Sequence, residues 1–142
     1  MKKLYLVFLT LILSMMISGC MEKKVNPIIL KSTDEKALYD LMEARCRALN
    51  AKDINLFRQI YIKDSPDLRW IKDAGISMWV MDDVTYHISS LKKIGIIGND
   101  AAARFVVVGS DQYGSFLRKT VEVLYVKKGT QWKIESTGER LR

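Results

Sequence analysis

The chain has 142 residues, 49% of them hydrophobic and 27% charged, with 23 Lys and Arg against 16 Asp and Glu. This length allows one globular domain and excludes a multidomain enzyme. The apolar share excludes a wholly disordered chain, and two cysteines exclude a disulfide-built miniature scaffold. The apolar residues are unevenly spread: Leu4 to Ile17 runs without a charge, behind Lys2 and Lys3 and ahead of Ser18, Gly19 and Cys20. That run falls short of the about 20 residues a spanning helix needs. Its charged, apolar and small-residue regions follow the order of a secretory signal.

The residues Ile17-Ser18-Gly19-Cys20 resemble the bacterial lipobox. The resemblance implies that residues 1–19 are removed and that Cys20, acylated, becomes the first residue of the mature chain. It further implies a bacterial cell-envelope protein, lipid-anchored and extracytoplasmic, with the membrane as its first partner. Met21 in place of Asp after the cysteine points to the outer membrane where the cell has two. Residues 1–19 hold two of the 23 basic residues and no acid, so the mature chain carries +5 of the formal +7. Residues 20–32 contain Lys23, Lys24 and Lys31 against Glu22, with Pro27 and no hydrophobic period. They read as a flexible tether of at most about 40 Å, whose lysines attract anionic headgroups. Residues 33–142 form the domain, with 18 basic and 15 acidic residues. So balanced a domain on a secretory route gives no case for a nucleic-acid partner.

Thr33-Asp34-Glu35-Lys36 reads as a helix start, and Leu38, Leu41, Met42 and Leu49 recur at helical spacing with Cys46 and Ala48 at the stripe edges. Asp53 can cap a second helix carrying Ile54, Leu56, Phe57, Ile60 and Tyr61, which Ser65-Pro66-Asp67 is expected to end. Leu68 to Met81 is compatible with a short third helix or an irregular lid around Gly75. Beyond Asp82 the period becomes two, giving four strands: Val84 to Ile97, Ala101 to Asp111, Leu117 to Lys127 and Gln131 to Thr137. Gly98-Asn99-Asp100, Gln112 to Ser115 and Lys128-Gly129-Thr130 supply hairpin turns. Helices followed by hairpin-linked strands make an α+β fold, with the N-terminal helices packed on an antiparallel sheet.

The helix ending in Ala48-Leu49-Asn50-Ala51-Lys52-Asp53, the short helix with Leu56 and Phe57, and the strand pair Val121 to Val126 with Gln131-Trp132-Lys133-Ile134 resemble the NTF2-like, or cystatin-like α+β cone, superfamily. The resemblance implies a curved sheet wrapped around the helices with a pocket between them. It does not imply one activity, since the superfamily includes isomerases, dehydratases, polyketide cyclases, transport factors and non-catalytic binding modules.

Five residues are candidates to line that pocket: Arg45, Trp79, Tyr86, His87 and Tyr113. Arg45 falls inside the apolar stripe of the first helix, so its guanidinium needs a partner such as Glu122, an anionic ligand, or an outlet to water. His87 is the single histidine. In similar enzymes a buried Asp or His works with Tyr or Asp partners, and Asp82 and Asp83 are further candidates, but no spacing selects a dyad. With Cys20 acylated, Cys46 has no disulfide partner, and one Cys with one His supports neither a zinc site nor a thiol dyad. No phosphate loop or nucleophile elbow is present in the sequence, and no cofactor or metal is expected. The reading is a non-catalytic module that binds a small apolar or anionic ligand or a protein. A homodimer through the sheet is one such interaction, with Lys119, Lys127 and Lys133 on the exposed side. The alternative is a small pocket enzyme of isomerase or hydro-lyase type.

Overall fold

The computed structural model of the chain describes residues 27–75 and 83–141. The signal segment, Cys20, the first half of the tether, Trp79 and Asp82 lie outside the described residues. Among the described residues, three helices precede a four-stranded antiparallel sheet: α1 (Thr33–Ala51), α2 (Ile54–Ile60), α3 (Pro66–Ala74), β1 (Thr85–Ile97), β2 (Asp100–Asp111), β3 (Gly114–Lys128) and β4 (Gln131–Leu141). No helix among them is long and apolar enough to cross a membrane.

The helix boundaries follow their capping side chains. Ser32, one residue ahead of the expected Thr33, caps α1: its Oγ accepts the Glu35 amide at 3.1 Å. Glu35 Oε2 in turn accepts the Lys31 amide at 2.6 Å. Lys52 closes α1 in the left-handed conformation, and Asp53 caps α2 by accepting from the Asn55 and Leu56 amides. Pro66 corrects the sequence reading. The helix α2 has already ended at Ile60, and Pro66 begins α3, because a missing N–H costs nothing in a first helical turn. Ser65 Oγ accepts the Asp67 amide there.

The strands form a meander in the order β1-β2-β3-β4. Gly98 and Gly129 take φ of 60° and 64° in the two-residue turns of the first and last hairpins, a region that favours glycine. Register shifts at Ser89 and Lys92 in β1, near Phe116 in β3 and at Glu135 in β4 mark bulges, which bend a strand and raise its twist. Beyond β4, Tyr61 forms a parallel bridge with Ile134, and the Ile62 amide donates to the Ile134 carbonyl at 2.9 Å. The segment after α2 therefore covers the edge of β4.

One sheet face carries Ala101, Ala103, Phe105 and Val107 of β2, Val121, Val123 and Tyr125 of β3, and Trp132 and Ile134 of β4. Against it pack Leu38, Met42, Cys46, Ala48 and Leu49 of α1 and Phe57 and Ile60 of α2. Leu38, Met42, Phe57, Phe105, Val123 and Ile134 are fully buried. Asn50 at the end of α1 clamps the helix to β1: its Oδ1 accepts the Tyr86 amide at 2.7 Å and its Nδ2 donates to the Tyr86 carbonyl at 2.9 Å. At the other end Asp34 accepts from Trp132 Nε1 at 2.9 Å and from Lys127 Nζ at 3.2 Å. These two hydrogen bonds, Trp132 first, hold the Asp34 carboxyl below its ordinary range.

Candidate functional site

The helical spacing that puts Arg45 on the apolar side of α1 survives folding, and its side chain is 1% exposed. Its Nε donates to the Tyr61 hydroxyl at 3.0 Å, with Glu122 elsewhere. Glu122 stands on the opposite sheet face, where Arg104 Nε and Nη2 donate to its Oε1 at 3.0 and 2.6 Å. Alternation explains the difference: Val121 and Val123 face the helices, so Glu122 between them cannot.

Tyr61 is fixed by stacking on Phe57, ring centroids 4.6 Å apart. Thr137, on β4, donates through its Oγ1 and its amide to Asp67 Oδ2 at 2.7 and 3.0 Å. Arg45, Tyr61, Thr137 and Asp67 thus make a buried polar string with hydrogen bonds at its two ends, Arg45 to Tyr61 and Thr137 to Asp67. Burial pushes the Tyr61 hydroxyl far above its ordinary value, so it stays protonated at neutral pH and cannot act as a base there. Tyr125 is likewise pushed upward by burial, and it donates to the Leu38 carbonyl at 3.1 Å.

The other sequence candidates do not join this string. Tyr86 is buried at the start of β1, where Asn50 clamps its backbone. His87, the next residue, pairs with Val108 and is exposed, on the side away from the helices. Tyr113 is 88% exposed at the β2–β3 turn, its amide bonded to Asp111, and so does not line the interior. Asp83 adopts φ of 62° in an exposed turn ahead of β1. Cys46 is buried in the core, and burial raises its thiol to about 11. Lys119 and Lys127 correct a further expectation. They share the strand face of Val121, Val123 and Tyr125, toward the helices, and Lys127 lies 5.3 Å over the Trp132 ring.

Helices packed beneath a bent four-stranded meander match known structures. One is a crystal structure of an NTF2-like protein of unknown function from Pseudomonas putida, with a TM-score of 0.61 and 16% identity, covering 78% of this chain and 88% of that one. Another is a cystatin-like protein of unknown function from Nostoc punctiforme, with a TM-score of 0.64 and 10% identity, covering 81% and 96%. The chain has the NTF2-like, cystatin-like fold. A Shewanella frigidimarina protein provisionally called a ketosteroid isomerase shares this fold at a TM-score of 0.60 and 15% identity, covering 82% and 98%. At such identities the likeness concerns the fold alone. No protein-family model matches the sequence, and no curated protein is significantly similar to it.

Two surface features complete the NTF2-like domain. On the outer sheet face, a groove of about 670 Å³ runs across all four strands, lined by Lys93, Arg104, Glu122 and Glu135, with Arg104 and Glu122 paired to each other. Ile97 and Leu124, 85% and 46% exposed, lie along it. A second groove, of about 540 Å³, lies between α2, α3 and β4. Among the described residues, no group of His, Cys, Asp and Glu could hold a metal ion.

Proposed function

We propose that this protein is a lipid-anchored, extracytoplasmic NTF2-like domain that binds without catalysing, and that it associates with a second copy of itself through the outer face of its sheet. The observation that carries this reading is the outer groove. It combines exposed Ile97 and Leu124 with Lys93 on β1 and Glu135 on β4, Arg104 and Glu122 being paired to each other between them, so a copy related by a two-fold axis can set Lys93 against Glu135 around an apolar centre. Inside the cone, Arg45 is engaged with Tyr61 and Asp67 with Thr137. The pocket-enzyme alternative draws less support, since His87 lies on the outer face.

Sedimentation of the purified full chain in detergent tests the association. The wild type is expected as a dimer, burying more than about 1,000 Å² in total, and Leu124→Asp as a monomer at the same concentration. A monomeric wild type refutes the association. The address is tested separately: radiolabelled fatty acid should enter the wild type and not Cys20→Ala, and label retained in the variant refutes it.

A further inference from the structure

The groove between α2, α3 and β4 concentrates positive charge that the sequence scatters. Arg58 of α2, Lys63 of the following turn, Arg69 and Lys72 of α3 and Lys133 of β4 line it, and no carboxylate does. Lys133 Nζ bonds the Gln59 carbonyl. Among the described residues, Arg58, Lys63, Arg69 and Lys72 make no ion pair. Asp64 and Asp73 belong to the same stretch of chain but do not line the groove, and Asp67 is buried on Thr137. Its apolar lining comes from Ile54, Leu68 and Tyr61.

The place of this groove relative to the chain entry is the second observation. Asp34, in the first turn of α1, is bonded to Trp132, and the next residue, Lys133, lines the groove. The start of α1 and the groove thus both rest on the first residues of β4. Ile29, in the tether just ahead of α1, is 77% exposed, and Lys31 follows it.

We propose that this groove is a docking surface for anionic phospholipid headgroups, laying the domain against the membrane that carries its tether. Arg58, Lys63, Arg69 and Lys72 at its rim are exposed, Lys133 is half-buried, and no buried charged side chain forms a fixed cradle. A layer of mobile phosphates suits such a rim better than one small anion does, since each Lys or Arg adds attraction as it nears an anionic surface. The apolar lining accommodates the glycerol and upper acyl region behind the phosphate. The inference rests on the membrane-tether reading above.

The test places the full chain on phospholipid nanodiscs of phosphatidylcholine alone, or with about a third phosphatidylglycerol, and follows backbone hydrogen exchange from Ile54 to Lys72. Exchange at the groove should slow by about tenfold on the phosphatidylglycerol discs and recover in high salt. The protection should be absent in Arg58→Glu/Arg69→Glu/Lys72→Glu and partial in Arg58→Gln/Lys72→Gln. The second variant keeps the test valid where triple charge reversal disturbs folding. Equal exchange on the two disc types overturns the proposal, as does equal protection by inorganic phosphate or an acidic peptide without discs. The intact mass separates the two readings. Lipid-dependent protection with an unacylated Cys20 removes the tether reading alone, and an acylated Cys20 without protection removes the groove reading alone.

Discussion

Replacing Tyr61 by phenylalanine deletes the oxygen that accepts from Arg45 in the buried polar string and leaves the stack on Phe57 intact. The Arg45 guanidinium, 1% exposed, then loses the acceptor of its Nε and meets a ring edge. Thr137 keeps both bonds to Asp67, so that end of the string is unaffected. A hydrogen bond to a charged group contributes about 1.5–3 kcal/mol, and a buried donor left unmet costs its full desolvation. Because Arg45 is held by more than this one bond, a loss of about 2 kcal/mol is expected for Tyr61→Phe. In urea that lowers the midpoint by about 1 M, and by heating it lowers Tm by roughly 8 °C for a domain of this size. The cycle closes with Arg45→Met and the double variant. Once the guanidinium is gone, the phenylalanine has no charge to strand, so the double variant should be more stable than the sum of the two losses implies, by at least about 1 kcal/mol. A coupling below about 0.5 kcal/mol, the scatter of independent sites, would refute the string as an energetic unit.

Two further outcomes follow from the core. The Cys46 thiol ionises at 9.0 in an ordinary setting and at about 11 when buried here. Between these values the unfolded chain gives up a proton that the folded chain keeps. Stability from this source is therefore whole below about pH 9 and falls as pH rises toward 11, by about 2–3 kcal/mol in all. Urea midpoints measured across that range should show a shallower decline in Cys46→Ala, with Tyr61 and Tyr125 accounting for the loss that continues above it; an unchanged slope would sink the assignment. Gly109 is the second case, because a Cβ there would sit 3.0 Å from Val84 Cγ1, 3.3 Å from Leu117 Cβ and 3.4 Å from the Tyr86 ring. Alanine for glycine in a strand ordinarily gains about 0.5–1 kcal/mol. Here overpacking at about 1–3 kcal/mol outweighs the gain, so Gly109→Ala should melt lower than the wild type, and a higher Tm would disprove the crowding.

Local pattern determined most of the secondary structure, because capping, turn chemistry and hydrophobic period act within a few residues, but it misread Pro66 as the end of one helix where it begins the next. Asp53 caps α2 as its position before an apolar run implies, the glycine-bearing turns close the hairpins, and the change of period after Asp82 marks the passage from helices to sheet. The placement of Arg45 was legible for the same reason, since a helical wheel fixes the side of α1 it faces. Its partner was not legible. Tyr61, Asp67 and Thr137 are separated by up to 76 residues, and only the run of Tyr61 and Ile62 along the edge of β4 brings them together. The fate of Lys119 and Lys127 turned on how far the helices extend under the strand ends. There, long side chains can share an inward face and still reach water or a carboxylate.

Charge divides in the same way. The sequence determines that the +7 total falls to +3 over residues 33–142, a balance that argues against a polyanion partner. It cannot determine where those charges sit. Arg58, Lys63, Arg69 and Lys72 are interleaved with Asp64 and Asp67, of which Asp67 is buried on Thr137, and Lys133 joins the four cations only when β4 settles against α2. Net charge is a sum that ignores position, whereas the field a partner meets falls off within about 10 Å, so only the tertiary structure decides whether a nearly balanced domain has a basic face.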